Sequence, residues 1–313
     1  MNSVPGAPLV SIVVCTQNRV SKLARCLEHI GNIRSDIDWE LIVVDNGSTD
    51  ETPRFLDDAV RRFPRPAQVV LEPAPGGTRS RNAGSAAARG EILIFLDNDC
   101  YPEPDIVDQY AGIFEDPTVG FAGGRILQYR SGEEGDGGEN DKTLAVMESE
   151  VEIRYAPGRP VPSGIFQGGN MALRREALLA VGGFDFRMGP GTRFPAEDWE
   201  IVTRIGAEGW SGVYFPGPVV AHDHRRKPGE ARGRLHSYHI GMGAVHMKLI
   251  ANPRTRLVYL PHILRRHLGD MKFHQLKVAA QLYGGMLFLA ESRGHLSDAI
   301  QPQAERISAA MQK

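Results

Sequence analysis

Residues 91–99 read EILIFLDND, an apolar run that ends in two aspartates on either side of an asparagine. The apolar part, residues 91–96, predicts a buried strand, and Asp97, Asn98 and Asp99 form the polar turn that follows it. Two carboxylates on a tight turn are oxygen ligands that suit Mg²⁺ or Mn²⁺. A capped turn is the alternative interpretation, because Asp and Asn favour turns in any protein.

Two earlier apolar runs end in the same way. Residues 9–14 (LVSIVV) lead to a polar turn at 16–19, and residues 39–44 (WELIVV) lead to one at 45–48. We predict strands at 9–14, 39–44, 69–71 and 91–96, and helices at 20–33, 49–62 and 79–89. This alternation predicts an α/β fold with a parallel sheet covered by helices. Because parallel strands end at one edge of a sheet, we expect the three polar turns to share one pocket.

The rest of the chain predicts a less regular region followed by helices. An acidic, glycine-rich stretch at 131–142 and a stretch rich in proline and glycine at 157–169 are predicted loops. Beyond them we predict a short helix at 171–181, a helix at 197–208, a strand interrupted by prolines at 213–220, and helices after residue 230.

Composition argues against several classes of protein. The 313 residues carry a formal net charge of −2, so we expect no nucleic-acid partner. Three cysteines without a Cys-x-x-Cys spacing argue against a disulfide framework or a cysteine zinc site. No apolar run reaches the ~18 residues that span a bilayer, and the first residues lack a signal-peptide pattern. We therefore expect a cytoplasmic protein, either free or peripheral at the inner face of the membrane.

Two later clusters carry further chemistry. Glu197 and Asp198 open a predicted helix, where a carboxylate serves either as a general base or as an N-terminal cap. His222 and His224 follow the predicted strand at 213–220 and would share one face of it. They could complete the metal coordination begun by Asp99, or they could belong to a surface loop next to three basic residues.

One glycine-rich run argues against two common kinds of nucleotide-binding site. PGGTRSRNAG at 75–84 lacks the Gly-Lys-Ser/Thr ending of a P-loop and the glycine spacing of a dinucleotide fingerprint. A P-loop enzyme and a classical dinucleotide-binding enzyme are therefore disfavoured.

Five segments together resemble the inverting glycosyltransferases of family 2. They are VSIVVCTQNR (10–19), LIVVDNGSTDET (41–52), GGTRSRNAGSAAARGEILIFLDND (76–99), FQGGNMALRREALLAVGGFD (166–185) and FPAEDWEIVTRIGAEGW (194–210). The resemblance implies a GT-A fold, which is Rossmann-like, with a mostly parallel sheet flanked by helices. It implies a catalytic domain at 1–225, with a nucleotide-binding half at 8–100 and an acceptor-binding half at 101–225. A helical C-terminal extension at 226–313 would follow.

The resemblance also assigns roles to residues. It places Asp99 at a divalent metal ion, Mn or Mg, with His222 or His224 as a later ligand, and it makes Asp198 the general base beside Glu197. The donor-binding residues that it implies are Thr16, Asn18, Arg19, Asp45, Asn46, Arg79, Arg81, Asn82, Asp97, Asn98, Gly169 and Asn170. Many relatives carry Asp where this chain has Asn46, which leaves the choice between UDP, dTDP and GDP donors open.

The activity implied by the resemblance is transfer of a sugar from a nucleotide-sugar donor to a hydroxyl-bearing acceptor. The acceptors of such enzymes include saccharides, lipid-linked saccharides and natural products. Two alternatives stay open: a nucleotidyltransferase, which would be expected to carry a glycine-rich phosphate loop near the N-terminus, and a non-catalytic protein that binds sugar nucleotides.

Residues 231–313 lie mostly outside the resemblance and mix basic with apolar residues, as in LVYLPHIL. One interpretation is an amphipathic surface that contacts an anionic membrane and reaches a lipid-linked acceptor. The other is a helical appendage that packs on the catalytic domain or forms a homodimer with a second copy.

Overall fold

The structure is a computed structural model that describes residues 9–129, 145–223, 230–271 and 274–292. In its first part strands and helices alternate: β1 Val10–Thr16, α1 Val20–Gly31, β2 Trp39–Asp45, α2 Thr52–Arg61, β3 Ala67–Leu71, α3 Gly77–Ala87 and β4 Ile92–Asp97. The next elements are β5 Cys100–Pro102, α4 Ile106–Phe114, β6 Val119–Gln128, β7 Ile153–Tyr155, β8 Met171–Arg174, α5 Arg175–Ala180, α6 Glu197–Ala207 and β9 Ser211–His222. Three helices close the described chain: α7 Glu230–Ala251, α8 Pro253–Asp270 and α9 Gln275–Ser292.

The strands form one sheet in the order β3-β2-β1-β4-β8-β6-β9-β5, with β7 also paired to β9. The first four strands of this order are mutually parallel, as predicted. In the second half β6 and β9 are parallel, whereas β8 runs antiparallel to β4 and β6. The register pairs Thr16 with Asp45 and Cys15 with Asp97, so the polar turns after β1, β2 and β4 lie side by side.

Alternate residues of the central strands point to opposite faces of the sheet and feed two hydrophobic clusters. Ile12 and Val14 of β1 join the cluster that includes Leu23 and Ile30 of α1. Val13, between them, joins the cluster on the other face. Because both faces are covered, the central strands β1, β2 and β4 are almost entirely buried and mostly apolar, which is why their sequence runs lack a regular polar alternation.

The C-terminal helices pack on the second of these clusters. Met242, Val245, Tyr259 and Phe288 lie in the same cluster as Trp199 of α6. Within the described residues, no helix is long and apolar enough to cross a membrane. The predicted boundary at 225/226 falls within 224–229, which lie outside the described residues, so the division into domains stays a prediction.

Two predicted elements differ from the structure. The predicted helix at 171–181 is wrong in its first part, because Met171–Arg174 form strand β8 and only Arg175–Ala180 are helical. Met, Ala, Leu and Arg favour helices locally, but backbone pairing with both β4 and β6 fixes them as a strand.

The predicted strand at 213–220 extends over Ser211–His222. Its pairing with β6 shifts register between Gly123 and Arg125, opposite the prolines at 216 and 218. The irregularity accommodates two residues that cannot donate to a ladder. The predicted loop at 131–142 lies outside the described residues.

Candidate active site

The polar turns after β1 and β2 are fastened to each other. Asn18 adopts a left-handed conformation with φ 53°, and its Oδ1 accepts a hydrogen bond from the Thr49 amide at 2.7 Å. The Asn18 amide in turn donates to Ser48 Oγ at 2.9 Å. Asp45 Oδ1 accepts from the Ser48 amide at 2.9 Å. The side chains of Asn18 and Asp45 therefore shape the two turns, and the turns form one polar wall, whereas the pocket that they are predicted to share stays a prediction.

Asn46 is 6% exposed and uses its whole amide group on the backbone. Its Nδ2 donates to Glu72 O at 2.8 Å and to Ala74 O at 2.7 Å, and its Oδ1 accepts from Gly76 N at 3.0 Å. An ionised aspartate could accept from Gly76 but could not donate to either carbonyl. Asparagine in place of the aspartate of many relatives therefore has a physical reason, which is that the Asn46 side chain holds the loop that leads into α3.

The turn after β4 joins this wall. Asn98 Nδ2 donates to Thr16 Oγ1 at 2.8 Å, which connects the end of β4 to the end of β1. Asp99 Oδ2 lies 3.0 Å from Arg19 Nη1 and 3.6 Å from Lys22 Nζ. On the other side, Asp99 Oδ1 lies 3.3 Å from His222 Nε2. Burial opposes ionisation of Asp99, but His222, Lys22 and Arg19 together hold its pKa well below the usual range.

The sheet register explains how Asp99 meets a histidine so far along the chain. Strand β5 pairs antiparallel with β9 and sets Cys100 opposite His222. The ligand atoms of Asp99, Cys100 and His222 lie within 4.8 Å of one another. A carboxylate oxygen and an imidazole nitrogen about 3 Å apart fit adjacent positions around a Mn²⁺ or Mg²⁺ ion with bonds of ~2.1 Å. The donor set therefore fits a divalent cation. His224 lies outside the described residues.

Arg81 connects this region to the acid pair. Its Nη2 donates to Asp97 Oδ1 at 3.1 Å and its Nη1 donates to Glu197 Oε1 at 2.5 Å. The arginine side chain is only 7% exposed. Burial disfavours the charged guanidinium, but the carboxylates of Glu197 and Asp97 raise the pKa of Arg81. One buried cation thus holds the end of β4 and the start of α6 against each other.

Asp198 is the partly exposed member of the acid pair. Its Oδ1 accepts from the Trp199 amide at 2.7 Å and its Oδ2 from the Gly168 amide at 3.3 Å. Burial and the neighbouring Glu197 carboxylate raise the pKa of Asp198 to about 7, despite the opposing hydrogen bonds. The residue before the pair, Ala196, has φ 123°, a strained conformation for a residue other than glycine. A carboxyl group that titrates near neutrality at a strained helix start is suited to proton transfer.

The segment at 168–170 lies over Arg81 and the aspartates. A Cβ added to Gly169 would lie 2.9 Å from Cys100 Sγ and 3.5 Å from Asp97 Oδ2, so the backbone itself lines the site here. Asn170 is 1% exposed; its Oδ1 accepts from Tyr110 Oη at 2.7 Å and its Nδ2 donates to Pro218 O at 3.0 Å. These contacts make Asn170 a support behind Gly169, and its place among the donor-binding residues stays a prediction.

The remaining predicted residues on α3 differ from one another. Arg79 is exposed, and its guanidinium lies 4.8 Å from the centre of the Phe186 ring. Asn82 is buried, and both of its amide atoms hydrogen bond to the backbone of Phe184 at 2.8 Å. Asn82 therefore fastens α3 to the segment before the acid pair, and any contact with a donor stays a prediction.

Lys22 was missed by the sequence analysis. It lies one helical turn after Arg19, so the two cations reach the same carboxylate of Asp99. Its Nζ also lies 3.9 Å from Asp223 Oδ1, and Tyr101 Oη donates to the other oxygen of Asp223 at 3.0 Å. The three-residue spacing of Arg19 and Lys22 at a helix start was the available signal.

The chain is similar to known proteins in sequence and in fold. The sequence profile described as "Glycosyl transferase family 2" matches residues 11–182, which is more than half of the chain. The chain belongs to glycosyl transferase family 2. The match includes the three polar turns after β1, β2 and β4 and the glycines at 168 and 169, and it ends before the acid pair.

Similar proteins extend the family assignment. The pre-mycofactocin glycosyltransferase of Mycobacterium tuberculosis H37Rv is 31% identical over 225 residues, which are 69% of this chain and 43% of that protein. The chain thus spans less than half the length of this relative. Among solved structures, the mannosyltransferase PcManGT of Pyrobaculum calidifontis, in complex with GDP-Man and Mn²⁺, has a TM-score of 0.61 at 22% identity. That match covers 97% of this chain and 86% of the other.

A second solved structure is similar at the level of the fold. S. aureus TarS 1–349, in complex with UDP-GlcNAc, has a TM-score of 0.58 at 15% identity and covers 95% of this chain and 79% of that chain. Both likenesses include the C-terminal helices and bear out the GT-A fold.

Proposed function

We propose that this family 2 chain transfers a sugar from a nucleoside-diphosphate sugar to an acceptor hydroxyl, with inversion at the anomeric carbon. The observation that supports it best is Arg81, which ties Asp97, at the turn that carries Asp99, to Glu197, beside Asp198. A donor held at the turn that carries Asp99 would therefore lie next to Asp198, a carboxylate that can act as a base. The two similar solved structures contain GDP-Man and UDP-GlcNAc, so a nucleotide sugar is the donor class we propose.

In the proposed reaction, Asp198 accepts the proton of the acceptor hydroxyl. The acceptor oxygen forms a bond to the anomeric carbon as the bond from that carbon to the diphosphate oxygen breaks. The bonding electrons leave with the diphosphate, and the attack from the opposite face inverts the configuration. The backbone amides of Gly168 and Trp199 donate hydrogen bonds to the Asp198 carboxylate and orient it. Glu197, fixed by Arg81, keeps the pKa of its neighbour raised.

Asp99 and His222 would hold a divalent cation, Mn²⁺ or Mg²⁺, which neutralises charge on a diphosphate leaving group when bound. Arg19 and Lys22 lie on the same carboxylate and add positive charge beside the diphosphate position. Thr16, Asp45 and Asn98 are proposed to border the nucleoside.

The experiment is incubation with UDP-, dTDP- and GDP-sugars in the presence of Mn²⁺, with measurement of the released products. We expect slow release of nucleoside diphosphate from one donor class. Release of pyrophosphate would instead indicate a nucleotidyltransferase, and binding without release would indicate a non-catalytic sugar-nucleotide protein.

A matched pair of variants tests the cation site without activity. Asp99→Ala should weaken Mn²⁺ binding in a direct titration by about ten-fold or more, because a charged ligand is lost. The control Asp58→Ala removes an exposed carboxylate that pairs with Arg61 on α2. Equal Mn²⁺ affinity in the two variants would contradict the assignment of Asp99.

We further propose that helix α8 contacts an anionic lipid surface. Residues 253–268 carry four arginines and no acidic residue. Leu257, Leu264 and Leu268 are 84%, 52% and 66% exposed and lie along one side of the helix. Apolar side chains flanked by arginines match the interface of an anionic bilayer. A second copy of the same face would bring like charges together, which disfavours it as the partner.

Flotation with vesicles tests this contact. Vesicles that contain phosphatidylglycerol should carry the protein upward, and substitution of Leu257→Asp with Leu268→Asp should reduce that fraction several-fold. Val151→Asp, at a residue that is 68% exposed elsewhere, is the control. Absence of flotation, or a dimer in light scattering that the same two substitutions dissociate, would contradict the lipid assignment.

A further inference from the structure

Helix α7 lies directly against the chain that leads into the acid pair. Gly241 faces the carbonyl of Pro195 so closely that an added Cβ would overlap that oxygen. Pro195 is followed by the strained Ala196 and then by Glu197. The absence of a side chain at Gly241 therefore lets a C-terminal helix touch the backbone two residues before the acid pair.

A buried network of charges joins the same helix to α6. Lys248 Nζ of α7 contacts the Glu200 carboxylate and lies 2.6 Å from Asp185 Oδ2. Glu200 is 2% exposed, and Arg204 binds it in two places, at 2.6 and 2.9 Å. Arg187 holds Asp185 in the same bidentate way, at 2.9 and 2.6 Å. Each carboxylate thus has an arginine of its own and shares one lysine from the C-terminal helices.

The charges in this network are mutually satisfied. Burial opposes the ionised form of Asp185, but Lys248 and Arg187 lower its pKa far below the usual value. Burial likewise opposes ionisation of Glu200, and Arg204 and Lys248 lower its pKa. Removal of Lys248 alone would weaken the connection between α7 and α6, while Asp185 and Glu200 would each keep an arginine partner.

Helix α9 also contacts the residues that precede the acid pair. The guanidinium of Arg187 lies 4.9 Å from the centre of the Phe288 ring, and its Nη1 donates to Ser292 Oγ at 3.3 Å. Phe194 packs edge-on against Phe288 at 5.4 Å. Helix α9 is itself held to α7 by close backbone packing at Gly284, where an added Cβ would overlap Ile240 O.

We propose that α7 and α9 form a brace that sets the position of Glu197 and Asp198, with Lys248 as its main positioning residue. The proposal rests on the function proposed for Asp198. Proton transfer depends on placement of the base to a fraction of an ångström, so a brace behind α6 controls the rate without touching the substrate. The C-terminal helices are then part of the catalytic unit.

Lys248→Met is the test, and Lys277→Met is its control. Lys277 also forms an ion pair within the C-terminal helices, 2.7 Å from Asp270, and among the described residues no ion pair joins it to α6. A cavity of about 520 Å³ borders Lys248, Asp185 and Glu200, so methionine fits without a clash. Asp185→Asn is a second variant that keeps the shape of the network and weakens its charge.

Hydrogen exchange measures the brace independently of turnover. We expect the amides of residues 196–201 to exchange at least about five times faster in Lys248→Met than in Lys277→Met, with Lys248→Arg close to wild type. Equal exchange in Lys248→Met and Lys277→Met would overturn the brace.

Turnover then separates the brace from the proposed function. We expect kcat for nucleoside diphosphate release to fall about ten-fold in Lys248→Met, with the KM for donor within two-fold, and arginine at this position to restore most of it. Faster exchange with unchanged kcat would contradict the positioning role. A wild-type protein without any release would contradict the proposed function and leave the exchange result to decide on the brace.

Discussion

Asp198 sits where burial and the Glu197 carboxylate both oppose its ionisation, and its pKa is raised to about 7 from an ordinary value near 3.8. Between these values the folded chain holds a proton that the unfolded chain has released, so the free energy of unfolding falls as pH rises from about 4 to 7. Asp198→Asn removes this effect. We expect the variant to be more stable at pH 8 by on the order of 2 kcal/mol, discounted for partial exposure, and equal near pH 4. Thermal unfolding at the two pH values measures this difference.

The same shift predicts the pH dependence of turnover. A base must be ionised to accept a proton, so kcat should rise with pH and level off above about 7. Glu197→Gln removes a negative charge beside Asp198 and should move the midpoint to lower pH by about one unit. A pH profile of kcat for both proteins is the measurement, and an unmoved midpoint would show that Glu197 does not tune the base.

Arg81 and Arg79 lie two residues apart on α3 and differ in burial. Arg81→Ala leaves the buried Glu197 without its cation, which should destabilise the fold by about 3–5 kcal/mol. Arg79→Ala removes an exposed side chain that stacks on Phe186, which should cost about 1 kcal/mol or less. Denaturant unfolding of the two variants measures this difference in stability. Similar unfolding midpoints would refute the prediction that Arg81 stabilises the fold more than Arg79 does.

Residue types point to a candidate site most clearly where few side chains can do the chemistry. Carboxylates after a buried strand pointed to Asp97 and Asp99, and the structure sets His222 beside Asp99. Asn82 was harder to interpret, because an amide bonds a backbone or a ligand equally well, and here it bonds the Phe184 backbone. For Lys22 the available signal was its three-residue spacing from Arg19 at a helix start, and spacing alone does not say which carboxylate a lysine reaches.

At the scale of elements, helix α3 packs closely on the central strands. A Cβ added to Gly84 would lie 2.5 Å from Val13 Cγ1 and 2.9 Å from Val44 Cγ2. Gly84→Ala should therefore destabilise the fold by about 1–3 kcal/mol through overpacking. A Cβ added to Gly112, on α4, would meet no atom outside its own stretch of helix within 4 Å, and Gly112→Ala should stabilise the fold by about 0.5–1 kcal/mol. Opposite signs in denaturant unfolding are expected, and a neutral Gly84→Ala would mean that α3 can move away from the sheet.

Elements were predictable where local pattern and tertiary pairing agree. The parallel strands β1, β2 and β4 are mainly apolar and rich in β-branched residues, so the sheet that buries them follows from their sequence. Strand β8 was predicted as helix because its pairing with β4 and β6 comes from distant parts of the chain. The close packing of α7 against Pro195 depends on one glycine, which carries no periodic signal.

At the scale of the molecule, one sheet separates two hydrophobic clusters and gathers the polar strand ends at one edge. The C-terminal helices belong to the hydrophobic cluster that contains Trp199 of α6, so the acid pair lies between the strand-end edge of the sheet and a helical layer. Arg81 crosses this junction from α3 and meets both sides. The central claim is therefore that one cleft holds a donor at Asp99 and a base at Asp198.

Donor binding and turnover compared between wild type and Asp198→Asn test that claim most directly. With the nucleotide sugar and Mn²⁺ that support release by the wild type, the variant should bind donor within about two-fold of wild type and release nucleoside diphosphate at least about a hundred times more slowly. Turnover by Asp198→Asn at the wild-type rate would contradict the account.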